Sequence, residues 1–505
     1  MDVSSLLSSL PPRPAQPITA QLSYLSALIG SCPDDALLPA LSKVEKILTD
    51  CDWRLSSANQ STEQECRSLS RALIGCCSLP LACDDVSAVE ESEYAVIRPR
   101  VIAVSRALIP LLRGLGHERG GGGAEGEGGG AEGGGGRVSE RILFAVAPDI
   151  CVFAVTHFQE APWSSSSSRA AAQELMRALL EAGPWTDSAH LLVGESRARG
   201  ILGEILDLIQ PQLNKELMFR SEALKLVFSW VLLQVTRPAL QPHLPRLLPP
   251  SLLLTDHYRP ENCILGVRCL HHIVLHTAAA DLRQLNRAEV VYQAVFRLLY
   301  NNQPQITQCV LSCLMDLLLV LEKSPSSADP SLSCAGPPHY RRVTSRHDDV
   351  LRFVLTQMEA EHKLELRRIY AAALPPLVDR CGIAVCRHMK RLQRVILGYL
   401  ELSDPPHETS RVQTLRTLNR TLQTAWPRVE KRSWEQILRA VLRLLVDVSS
   451  DLDLNASVKQ EIFDQSAASI RLLDACSDKR VQCLLLQVDS RHCSPEVLQL
   501  LHSVT

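Results

Sequence analysis

From residue 138 to residue 505, apolar side chains recur three and four positions apart in segments of roughly 12 to 20 residues, split by short polar breaks. This spacing places each apolar set along one face of a helix, and such a face needs a neighbour to cover it. The clearest segments are 170–181, 201–208, 222–234, 261–276, 287–300, 305–322, 348–358, 362–380, 383–402, 408–425, 433–448, 457–475 and 495–502. Two successive segments with their connection take about 40 to 47 residues, the period of HEAT and armadillo arrays. Residues 409–448 show one unit: an amphipathic stretch ends at Trp426-Pro427, and a second apolar stretch starts at Ser433 after a short basic turn. The expected fold is all-α, a HEAT- or armadillo-like α-solenoid of stacked helix pairs over 138–505. Composition agrees, since hydrophobic residues make up 46% of the chain and aromatics only 4%. A Leu-rich, aromatic-poor core suits packed helices.

Ahead of this array, residues 1–113 predict a separate helical region, with Pro99 and Pro110 limiting where its helices start and stop. Residues 114–137 are mostly Gly with almost no apolar side chain, which predicts a disordered linker. A mobile loop is expected at 324–346, rich in Ser and Pro. Three residues mark helix ends: Asp348 as an N-cap, Ser433 with Gln436 as a capping box, and Gly382 as a C-cap.

Lys and Arg total 53 against 55 Asp and Glu, a net charge of −2 that gives no overall field for nucleic acid or an acidic membrane. Neither is expected as a partner. Seventeen cysteines are sparse in 505 residues. Cys263, Cys269, Cys309, Cys313, Cys476 and Cys483 fall inside helical patterns, where a free thiol serves as a small buried hydrophobe. The first residues show no basic and apolar leader pattern, and the apolar run 309–321 is interrupted by Asp316 and short for a bilayer span. The expected location is cytoplasmic and nuclear.

The chemical motifs are incomplete. His272 and His276 lie four apart on one helix face, but the position after His272 is Ile273 where a zincin has its Glu. Gly194-Glu195-Ser196-Arg197-Ala198 resembles a nucleophile elbow without its final Gly or a flanking strand–helix alternation. The Gly run has no Lys-Ser/Thr ending for phosphate, and neither Cys76-Cys77 with Cys83 nor Cys381 with Cys386 has paired CxxC spacing. No catalytic, metal or cofactor site is expected. Arg367 and Arg368 precede a basic run in which Arg387, Lys390, Arg391 and Arg394 share a helix face. These four are the candidate partner-binding residues, either a solvated face or a contact for an acidic protein surface.

Three stretches resemble one family, the second Tti subunit of the TTT cochaperone complex, in which Tel joins two Tti proteins. They are Val227-Phe228-Ser229-Trp230 with Gln234-Val235-Thr236-Arg237-Pro238; the run from Glu261-Asn262-Cys263 through Arg268-Cys269-Leu270-His271-His272-Ile273-Val274; and 349–426, including Arg387-His388-Met389-Lys390-Arg391-Leu392, Gly398-Tyr399-Leu400-Glu401 and Trp426-Pro427. The resemblance covers most of 150–480 and does not extend clearly to 1–137. It implies a non-enzymatic HEAT-like scaffold that binds the Tel and other Tti subunits. With heat-shock chaperones, that complex supports the folding, stability and assembly of phosphatidylinositol-kinase-related protein kinases, which serve DNA-damage and mTOR signalling. The alternative is a generic HEAT-repeat adaptor in trafficking or transport.

Deleting residues 120–136 is expected to leave the melting temperature within a few degrees of the parent chain, because shortening a flexible connection changes closure entropy slowly. Thermal unfolding followed by circular dichroism checks this, and a larger loss would mean the segment packs.

Overall fold

A computed structural model of the chain describes residues 18–504, apart from 52, 54–59, 85–86, 88, 121–133, 196–197, 323–344 and 489–492. The chain divides into two compact units, meeting between Leu253 and Leu254.

The first unit holds α1 (Ile18–Ser31), α2 (Leu37–Asp50), α3 (Gln60–Gly75), α4 (Glu91–Ala95), α5 (Ile97–Gly120), α6 (Gly134–Phe158) and α7 (Ser166–Ala182). Shorter helices follow: α8 (Ser188–Val193), α9 (Leu202–Ile209), α10 (Lys215–Arg220), α11 (Glu222–Gln234) and α12 (Leu244–Thr255), within whose last turn the division falls. α1, α3 and α6 pack side by side as one layer, and α2, α5 and α7 as the other. Val44, Leu69, Leu108, Val146 and Leu175 are buried where the layers meet. Helix starts follow the sequence chemistry: Ser165 and Ser168 form a reciprocal capping box before α7, and the Asn214 side chain accepts from the Leu217 N–H before α10.

The second unit continues with α13 (Pro260–His276), α14 (Ala279–Arg283), α15 (Arg287–Arg297), α16 (Pro304–Leu321), α17 (Arg346–Ala360), α18 (Leu364–Cys381), α19 (Met389–Glu401), α20 (Thr409–Ala425), α21 (Lys431–Ser450), α22 (Ala456–Cys476), α23 (Arg480–Leu485) and α24 (Pro495–Val504). Helices α13, α16, α18, α20 and α22 stack successively into a tight layer, while α17, α19 and α21 line up along the other side. The pairs α15/α16, α17/α18, α19/α20 and α21/α22 are the repeating units, so the fold is an all-α, HEAT-like solenoid of stacked helix pairs. Among the described residues the one strand pairing joins Gly194–Glu195 to Ala198–Arg199.

The structure redraws several expected boundaries. The described helices of 1–113 form no separate region, because α2 packs on α5 and α3 packs on α6 beyond the Gly run. Their apolar faces are covered by helices from both sides of it. Within 114–137, α5 reaches Gly120 and α6 starts at Gly134; the expected linker at 121–133 lies outside the described residues. Pro99 and Pro110 both lie inside α5. A proline in the first turn forfeits no intrahelical bond, and packing offsets the one lost at Pro110. Of the loop expected at 324–346, residues 324–344 lie outside the described residues; Ser345 caps α17 and Arg346 opens it. Asp348 is the third helical residue, its side chain accepting from the Ser345 N–H while Ser345 Oγ accepts from the Asp348 N–H. Ser433 lies inside α21, which starts at Lys431. The segment expected as one helix at 383–402 is a 3-10 stretch, Gly382–His388, followed by α19. Gly382 ends α18 at φ 51°, a left-handed conformation that costs glycine little. α16, at 18 residues, is long and apolar enough to cross a bilayer, but Leu311, Leu314, Leu317 and Leu318 are buried within the unit, against helices that include α13, α15 and α18. Cys483 is exposed rather than buried.

At Gly266 the backbone of α13 comes close to that of Leu254 and Thr255. A Cβ there would lie 2.4 Å from the Thr255 nitrogen and 2.8 Å from the Leu254 carbonyl carbon. Gly266→Ala is expected to destabilise the chain by about 1–3 kcal/mol, as overpacking against backbone does. Chemical denaturation checks it, and an unchanged midpoint would show that the two segments separate freely.

Candidate interaction surface

The four candidate basic residues do not form one exposed face. Arg387 lies in the 3-10 turn before α19, and Nη1 donates to Asp348 Oδ2 at 2.7 Å. His388 Nε2 lies 3.0 Å from the other oxygen, Oδ1. Asp348 is only 5% exposed. Burial pushes its carboxyl up, but the Ser345 amide, His388 and Arg387 outweigh that and hold it below its ordinary range. One turn on, Arg391 grips Glu359 with Nε at 3.2 Å and Nη2 at 2.8 Å, and also donates to Thr356 Oγ1. This hydrogen bond keeps the Glu359 carboxyl below its usual range. Arg394 approaches Glu359 at 3.7 Å but stays 74% exposed, and Lys390 is exposed. Arg387 and Arg391 are therefore ties between α17 and α19, because the register of the two helices sets carboxylates opposite them. Lys390 and Arg394 are exposed like Arg387, but neither makes a hydrogen bond to α17.

The earlier basic residues, Arg367 buried and Arg368 half-buried, are also engaged within the fold. Arg367 stacks its guanidinium 4.0 Å from the Tyr399 ring centre. Arg368 Nε donates to Asp404 Oδ2 at 3.1 Å, and Nη2 donates to the carbonyls of Asp404 and Pro405. Asp404 belongs to a buried polar knot that the sequence reading missed. Its Oδ2 accepts the Ser410 N–H, while the Glu408 carboxylate accepts the Asp404 N–H and the Ser403 hydroxyl. Arg411 ties the knot outward, donating from Nε to the Leu400 carbonyl and from Nη2 to Asp447 Oδ2 at 2.6 Å. The sequence signal for it is slight: charges on either side of a Ser-Asp-Pro-Pro turn. On the tight layer, polar residues including Arg416, Asn419, Arg420 and Gln465 line a cavity of about 540 Å³ together with Pro375, Pro376 and Leu472. Its arginines are already engaged, Arg416 with Glu461 and Arg420 with Asp379.

The other motifs separate plainly. The His272 and His276 ring centres lie 4.3 Å apart with the rings tilted by 39°, while neighbouring His271 meets Asp316 at 2.8 Å. Among the described residues no group of three His, Cys, Asp or Glu side chains could hold a metal ion. Ser196 and Arg197 of the elbow-like stretch lie outside the described residues; Gly194–Glu195 and Ala198–Arg199 on either side of them pair between α8 and α9. Burial pushes the Cys66, Cys151, Cys269 and Cys381 thiols up to about 12. At neutral pH these remain thiols and pack as hydrophobes.

Asp348→Asn is expected to destabilise the chain by about 1–3 kcal/mol at pH 7, since it removes the charge that Arg387 and His388 face. The Asp348 carboxyl is depressed in the folded state, so its contribution is full above the unfolded value near ~3.9 and is lost as pH falls through the folded value. Parent and variant should therefore draw together as pH falls below about 4 and converge once it passes the folded value, as measured by denaturant unfolding at several pH values. A difference that persists there would mean the carboxylate charge is not what stabilises this corner.

A profile of the Tti2 family matches residues 221–409. The chain is 45% identical over 348 residues to TELO2-interacting protein 2 of Homo sapiens, across 68% of this chain and 66% of that protein. It is 43% identical over 341 residues to the Mus musculus protein of the same name, across 67% and 65%. The chain thus spans just under two thirds of the length of these relatives. Among solved structures it is similar to importin beta, with a TM-score of 0.44 and 10% identity over 96% of this chain and 55% of that one. A mutant of Kap121p gives 0.42 and 11%, over 96% and 46%. On the match to the family's own profile and the identity to these two relatives, the chain belongs to the Tti2 family.

Proposed function

We propose that the chain is a non-enzymatic scaffold subunit of a TTT cochaperone complex, holding the Tel and other Tti proteins. Through that complex and heat-shock chaperones it supports the folding, stability and assembly of phosphatidylinositol-kinase-related kinases, in the cytoplasm and nucleus. The observation that carries this reading is the 45% identity, over 68% of the chain, to a protein named for its interaction with TELO2. The fold gives physical support, because stacked helix pairs expose long faces that a protein partner can follow. Tyr300 and Trp426 stand 67% and 61% exposed, and aromatic side chains are enriched where interfaces bury their centres. The prominent polar groups are engaged in holding helices together: Arg387 and Arg391 between α17 and α19, Arg411 between α20 and α21.

Affinity capture of the tagged chain from cells, read by mass spectrometry, tests the proposal. TELO2 and a further Tti protein should be recovered in near-stoichiometric amounts, with chaperones and kinases below them. Recovery of transport or trafficking factors in their place would replace this reading with that of a HEAT adaptor.

A further inference from the structure

We propose that the outer faces of α19 and α21 form one docking surface for an acidic, amphipathic protein segment. This deepens the scaffold reading and rests on it only in taking the chain to bind proteins.

Two contacts fix the register of the helices. Gln393 Nε2 donates to Gln436 Oε1 at 3.1 Å, and Arg443 lies 3.7 Å from Glu401. The contacts are about two turns apart on each helix, so α19 and α21 run side by side in the same direction. Helical spacing then sets Lys390 and Arg394 of α19 beside Arg432, Arg439 and Arg443 of α21 on the solvent side, where all five are exposed. Lys390, Arg432 and Arg439 make no ion pair with any described residue. Against them stand Glu401, opposite Arg443, and Glu435, one turn from both Arg432 and Arg439. Glu359 is already divided between Arg391 and Arg394. In a chain of net charge −2 this is a local excess of positive charge, visible only once two helices 43 residues apart in sequence are laid together.

The surface also offers an apolar seat. Arg411, Arg439 and Arg443 outnumber Glu401 and Asp447 in the lining of a cavity of about 910 Å³, whose accessible apolar side chains include Leu442, Val446 and Val488. Guanidinium groups around an apolar recess fit a segment that carries carboxylates on one face and aliphatic side chains on the next. The aromatic residues of these two helices, Tyr399 and Trp434, are both buried, so neither helix offers a platform on which a nucleic-acid base could stack.

The test uses the full chain and a fluorescein-labelled peptide of about 16 residues, Glu at most positions and Leu at every fourth, read by fluorescence anisotropy. Saturable binding should weaken as NaCl rises from about 50 to 300 mM. It should fall at least about tenfold for Lys390→Glu with Arg439→Glu, and persist for Arg416→Glu on the opposite layer. Replacing the peptide's Leu by Gln should also weaken it. Circular dichroism and melting temperature control for folding, and Arg394→Glu with Arg443→Glu replaces the first pair if that variant does not fold. Equal binding by a folded reversal variant, or no saturable binding by the parent chain, would overturn the proposal. So would tighter binding, through the same residues, of a DNA duplex or of phosphatidylserine vesicles. Because the peptide assay uses purified chain, its failure leaves the cell capture result standing, and the reverse also holds.

Discussion

Close approach between α18, α20 and α22 is the constraint on which the second unit depends. Each of these helices has apolar residues on one side, and the next pair covers them: Leu374 and Leu377 of α18, Leu415, Leu418 and Leu422 of α20, and Ile470 and Leu473 of α22 are all buried. Such proximity also needs small side chains at the contact, and α20 supplies Ser410, Thr414, Thr417 and Thr421, all buried. Thr417 and Thr421 return their hydroxyls to the carbonyls of Gln413 and Thr417, so they bury polar atoms without stranding them. Asn419 then bonds across to α22, donating to Gln465 and accepting from Ser469 at 2.6 Å. The Ser410 and Thr414 hydroxyls, by contrast, are buried without a hydrogen-bond partner, which costs stability that the close packing offsets.

The other layer is held differently. There, α17 and α19 are joined by charge: Asp348 collects the Ser345 amide, Arg387 and His388, and Glu359 receives the Arg391 fork. One carboxylate thus closes a helix start and anchors the next repeat. The Asp404–Glu408–Arg411 knot does the same at the α19–α20 turn, extending through Asp447 to α21. Once these ties are made, Lys390 of α19 and Arg432 and Arg439 of α21 are left exposed, without an ion pair to any described residue.

Much of the fold was legible in the sequence because helical spacing of Leu, Ile and Val survives any arrangement of neighbours. The segments 261–276 and 305–322 became α13 and α16 within a residue or two. Helix starts were less legible. Ser345, Asp348 and Ser433 all have capping chemistry, but which of them caps depends on where the chain enters the layer, and Ser433 ended up inside α21. The candidate site was only half legible. Lys390 and Arg394 face outward as their spacing suggested, whereas Arg387 and Arg391 turn to carboxylates contributed by another helix.

The sequence alone determined the class of the fold and the absence of complete catalytic motifs, since both depend on residue types at short spacing. It also carried the family wording, in runs such as 261–274. Tertiary structure alone decided which charges are ties and which are surface, and that helices on both sides of the Gly run belong to one unit. The physical reason is the range of the interactions. Periodicity is a local property of the chain, whereas Arg391 meets Glu359 across 32 residues and Gln393 meets Gln436 across 43, distances that only the packing of repeats can close.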